Sequence, residues 1–80
     1  MEISLTFKSI DCPDHLTMWD VDQYIDEVAE KHGGEGLSAG ACLFGDRERD
    51  MQFDIPKKNV KEFKKEVKAY LDKYKIRHSF

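Results

Sequence analysis

Eighty residues, 40% of them hydrophobic and 36% charged, make a chain too polar for a membrane protein and too apolar for a disordered one. Only about 60 to 65% of the unfolded surface can be buried at this length, so nearly every apolar position is needed for folding and little core is left for an enclosed active site. The net charge is -3, and no apolar run is long enough to cross a bilayer.

Ile3, Leu5 and Phe7 alternate with Glu2, Ser4, Thr6 and Lys8, the period of a strand with one buried face, over residues 2–9. Pro13 breaks the chain. Thr17 and Asp20 have the spacing of a capping box, and Met18, Val21, Ile25 and Val28, with Tyr24 beside them, predict a helix over 18–32 that ends at Gly33-Gly34. Leu37, Ala39, Ala41 and Leu43 alternate in a second strand, 37–44, and Met51, Phe53 and Ile55 in a third, 50–55. A two-residue turn at Gly45-Asp46 would set Ala41 against Asp50. A loop of three or five residues instead sets Ala39 and Ala41 against the apolar residues of the third strand, and parity favours it. Asn59 and Glu62 form a second capping-box pattern, and Val60, Phe63, Val67, Tyr70, Leu71 and Tyr74 predict a helix over 59–74. A short strand, 76–80, closes the chain.

This order predicts an α+β fold over residues 1–80: a ferredoxin-like βαββαβ two-layer sandwich, with an antiparallel four-stranded sheet and both helices on one face. The fold alone says nothing about activity. Met1-Glu2-Ile3-Ser4 lacks the basic and apolar stretches of a secretory signal, so a cytoplasmic protein is expected, with Cys12 and Cys42 as thiols two strand spacings apart.

Charge is unevenly placed. Residues 1–56 carry 13 acidic and 4 basic side chains, a balance of -9, while residues 57–80 carry 9 basic and 3 acidic, a balance of +6. The plain reading is that the acidic first helix and the lysine-rich second complement each other across their seam. The functional reading is that one face recruits a partner. Phosphate binding by the second helix is poorly supported: of its half, only Arg77 offers a planar fork. The open sheet face, carrying Ser4, Thr6, Lys8, Ser38, Gly40, Cys42, Phe44, Gln52 and Asp54, has one aromatic where RNA stacking wants two or three.

Asp11-Cys12-Pro13-Asp14-His15 is the one cluster rich in metal-ligating types. Its place between strand and helix resembles the Cys-x-x-Cys loop of heavy-metal-associated domains, with His15 where the second cysteine stands. That resemblance implies a metal-handling role for Cys12 and His15. Two ligands do not close a zinc site, and a Cys–His dyad needs an orienting group that the sequence does not offer. Asp46, Glu48 and Asp50 alternate as in a calcium loop but lack its glycine and terminal glutamate.

No catalytic constellation or cofactor motif stands out, so the expectation is a non-enzymatic protein-binding module, an adaptor or inhibitor without a cofactor. It docks on a larger, basic, nucleic-acid-handling type of protein. Its surface is expected to comprise Trp19, Asp22, Asp26, Glu27 and Glu30 on the first helix with Asp46, Arg47, Glu48 and Arg49 on the hairpin. Metal handling through Cys12 and His15, nucleic-acid binding by the second helix and self-association through an edge strand are the alternatives.

Overall fold

A computed structural model describes residues 1–41, 44, 45 and 47–80. Its elements are β1 (Glu2–Lys8), α1 (Met18–Lys31), β2 (Glu35–Ala41), β3 (Glu48–Asp54), α2 (Val60–Lys73) and β4 (His78–Ser79), with 3-10 turns at Ser9–Asp11 and Lys57–Asn59. The strands form one antiparallel sheet in the order β2-β3-β1-β4.

The alternation in β1 and β3 explains the core. Leu5 sits opposite Met51 and Ile3 opposite Phe53, so one sheet face is a continuous apolar surface. Val21, Ile25, Val28 and Ala29 of α1 and Phe63, Val67 and Leu71 of α2 close over it, together with Ile55 and Ile76. At roughly 1.5–3 kcal/mol for each fully buried large side chain, this cluster is the main source of stability. The opposite face is polar: Thr6 donates to Asp50 (2.8 Å), Lys8 pairs with Glu48, and Ser38 donates to Gln52 (3.2 Å).

Both helices end in the same motif. After α1, the amide of Gly34 donates to the Ala29 carbonyl (2.8 Å) and that of Gly33 to Glu30 (3.0 Å), with Gly33 in the left-handed region at φ 78°. After α2, Ile76 donates to Leu71 (2.9 Å) and Lys75 to Asp72 (3.0 Å), with Lys75 at φ 57°. These are the paired bonds that satisfy the last carbonyls of a helix. Gly34 is required for another reason: a Cβ there would lie 2.4 Å from Ile55 Cδ1 and 2.6 Å from the Asp54 carbonyl oxygen.

Several expectations are corrected. The capping box at Thr17 and Asp20 is formed, with both backbone amides satisfied (2.9 and 3.2 Å), but its counterpart at Asn59 and Glu62 is not. The Asn59 amide group instead donates to the His32 carbonyl (2.7 Å), capping the end of α1 rather than the start of α2. The last strand spans two residues instead of 76–80, because Ile76 is drawn into the close of α2 and into the core.

The hairpin has the odd parity expected, with Ala39 opposite Met51, but Ala41 faces Arg49 rather than an apolar residue. A register shift between Gly36 and Ser38 makes Leu37 a bulge. All seven residues of β2 are exposed, where Leu37, Ala39 and Ala41 were expected inside. β2 stands at the sheet's end, where α1 sends the polar side chain of Asp26 over it rather than an apolar one. The expectations for Cys42, Leu43 and Asp46 lie outside the described residues.

Candidate docking surface

α1 begins at its capping box, which fixes Trp19 in the first turn, and the helical repeat then places Asp22, Asp26 and Glu30 one above another. Arg49 reaches this stripe from β3. It lies on the face of the sheet that carries Met51 and Phe53, so its side chain runs beneath α1 rather than into solvent. Its Nη2 is 2.5 Å from Asp22 Oδ2, and both side chains are about nine-tenths buried. Its guanidinium also lies over the Trp19 ring, 5.2 Å from the centroid. The outer side of that ring is open, leaving Trp19 64% exposed.

The pair is incompletely satisfied. Asp22 Oδ1 and Arg49 Nε are buried without a hydrogen-bond partner among the described residues. Asp26 stands one turn on, with no ion pair or hydrogen bond among the described residues. Partial burial, then the neighbouring carboxylates of Asp22 and Glu30, push its carboxyl above the ordinary range, against the opposing pull of Arg49. Asp22 and Asp26 line a shallow groove of about 250 Å³ between α1 and β2, floored by Gly36, Ala39 and Met51 and flanked by Leu37.

The other expected residues divide. Glu30 continues the stripe, and Glu27 lies beside it, accepting from Gln23 at 3.4 Å. Glu48 falls on the opposite sheet face, where it holds Lys8. Arg47 is exposed, but its carbonyl accepts from the Ser9 amide and hydroxyl, joining the hairpin to the end of β1. Thus Trp19, Asp22, Asp26, Glu30 and Arg49 form one surface, and of the described hairpin residues Arg49 joins it while Glu48 does not. An exposed edge strand was among the expectations, but the exposure of both faces of β2 was not; its signal was the run of small residues Ser38-Ala39-Gly40-Ala41.

The seam between the helices does not use the charge asymmetry as expected. At its centre Tyr24 stacks on Tyr70, centroids 3.8 Å apart. Its ion pair runs in the opposite sense, from Lys31 of α1 to Glu66 of α2 at 2.9 Å, which lowers the Glu66 carboxyl and raises the Lys31 ammonium. The acidic stripe of α1 therefore faces β2 and solvent, not α2.

The Cys12 thiol is half-buried, and its pKa is raised by burial and then by Asp11 and Asp22, so it is held as the neutral thiol. His15 sets its ring edge-on to Tyr74, centroids 6.1 Å apart. Among the described residues no three His, Cys, Asp or Glu side chains form a metal-binding group. Arg77, the planar fork considered for phosphate, is clamped by Asp11 through Nε (2.8 Å) and Nη2 (3.1 Å). Among the described residues, no helix is long and apolar enough to cross a membrane.

No protein-family model matches the chain, nor does any curated protein or solved structure.

Proposed function

We propose that the chain is a non-enzymatic protein-binding module of ferredoxin-like arrangement, an adaptor or inhibitor that docks on a basic protein through the Trp19 end of α1. The strand order β2-β3-β1-β4, with both helices packed on the core face, is that of a split βαββαβ sandwich, which supports the fold reading. The observation that carries the functional reading is the exposed Trp19 ring resting on an arginine that Asp22 fixes from behind. A rigid, half-open aromatic loses little entropy on binding and buries a large area, the properties of an interface anchor. Asp26, Glu27 and Glu30, further along the same helix, add a negative field that accelerates encounter with a basic surface. A surface meant for phosphates on a nucleic-acid-handling protein has that character.

The test is affinity capture from native lysate with the wild-type chain, with Trp19→Ala and with the triple variant Asp26→Lys, Glu27→Lys, Glu30→Lys. Asp22 is left intact because its removal strands a buried arginine. A basic protein bound stoichiometrically by the wild type and lost from both variants supports the reading. Capture that is unchanged by either variant overturns it.

A further inference from the structure

The groove ends on an open sheet edge. β2 is the outermost strand, seven residues long and exposed throughout, and none of the turn, loop and cap hydrogen bonds among the described residues reaches 35–41. An antiparallel edge directs alternate N–H and C=O groups outward, where they template another strand. The opposite edge strand is a shorter template, since β4 has two residues, and Phe80 sets its ring edge-on to Phe63.

Resting on the docking reading above, we infer that the β2 edge takes an extended basic peptide segment as a fifth strand, whose lysine or arginine side chains reach the Asp26 carboxylate over β2. Geometry supports the reach. Asp26 Oδ1 lies 3.3 Å from where a Gly36 Cβ would stand, so this carboxylate hangs directly over β2. A strand added about 4.8 Å beyond β2 is within the span of a lysine's four-carbon stem from it. Side chains of an extended segment alternate, so every second residue turns to the groove and the others to the polar sheet face. The groove itself selects a cation. Asp22 and Arg49 line it as a buried pair, and Asp26 makes no ion pair or hydrogen bond there among the described residues, so the three charges leave one negative charge unmatched.

Charge also decides against a second copy. Two chains pairing through β2 would bring α1 beside its mate on one face of the joined sheet. Asp26 and Glu30, on the β2-facing stripe of each α1, would then confront the same two residues of the mate.

The experiment is selection of the wild-type chain against a displayed library of random ten-residue peptides. A selected peptide is then titrated against Trp19 fluorescence, the chain's one tryptophan. The expected selection carries Lys or Arg at every second position and perturbs Trp19 emission. Its affinity falls on the order of tenfold with Asp26→Asn, and it loses binding when alternate backbone nitrogens along one edge of the peptide are methylated. Basic peptides with three-to-four-residue spacing that bind regardless of methylation overturn strand addition and leave the acidic docking surface standing. Selection of no basic peptide overturns both. A stable dimer by sedimentation without peptide overturns the inference in favour of a second copy.

Discussion

The two edges of the sheet are built on opposite plans, although each carries one aspartate–arginine pair. At the β4 edge the strand is two residues long, and Asp11 binds Arg77 in an exposed bidentate clamp that ties the turn after β1 to the last strand. At the β2 end the strand is long and uncovered, and the pair, Asp22 with Arg49, is withdrawn beneath α1. A short edge is protected by its brevity; a long one normally needs charge, proline or a cover, and β2 has the Leu37 bulge and a single charge, Glu35, at its start. The buried pair is poor value for stability, since removing two charges from water offsets most of their attraction. What it does supply is a fixed guanidinium under Trp19. One end of the sheet is closed by its own contacts; the other leaves a long strand uncovered.

The sharpest way to break this contrast is to remove one member of each pair. Asp22→Ala leaves Arg49 buried and unmatched, and the expected loss is about 3 kcal/mol in urea unfolding. Arg77→Ala, at a clamp whose arginine is largely exposed, is expected to lose no more than about 1 kcal/mol. Equal losses would mean that the two pairs do the same work. Between them in size lies Gly34→Ala at the entry to β2. Its new methyl must displace the Asp54 carbonyl or Ile55, for roughly 2 kcal/mol. A smaller loss would show that the α1–β2 junction yields.

The contrast between edges was only half legible in the sequence. Period-two alternation located the buried faces of β1 and β3, and helical spacing located α1 and α2, because those signals come from the core itself. The Thr17 box was legible because both its partners are local. Asn59 misled for the complementary reason: its side chain is claimed by His32, a tertiary partner that no local motif encodes. Leu37, Ala39 and Ala41 alternate correctly, but alternation specifies a face without saying whether a helix reaches the edge to cover it. Asp22 reads as one more solvated acid until the fold delivers Arg49 beside it. The site was thus visible as charge and a tryptophan, while its organisation depended on contacts distant in sequence.

The smallest expected effect tests the contrast most directly, because the two edges hold their carboxylates in opposite ways. Arg77, through its side-chain and then its backbone hydrogen bonds, holds Asp11 below the ordinary value of 3.8. Asp11 therefore contributes stability that is present above that value and lost as pH falls through its lowered pKa in the fold. Asp26 is raised above 3.8 by burial, Asp22 and Glu30, so the folded state binds its proton more tightly than the unfolded chain does. Its ionisation removes stability as pH rises from 3.8 through the raised pKa, and the penalty is complete above it. Asp26→Asn should accordingly be more stable than wild type at pH 7, by a few tenths of a kcal/mol at this partly exposed site, with the gain gone at pH 3. Asp11→Asn should be less stable at pH 7, with its deficit shrinking as the pH is lowered. Urea titrations at both pH values read the two signs. A destabilised Asp26→Asn at pH 7 would mean that this carboxylate is held by the fold, not held in readiness for a cation.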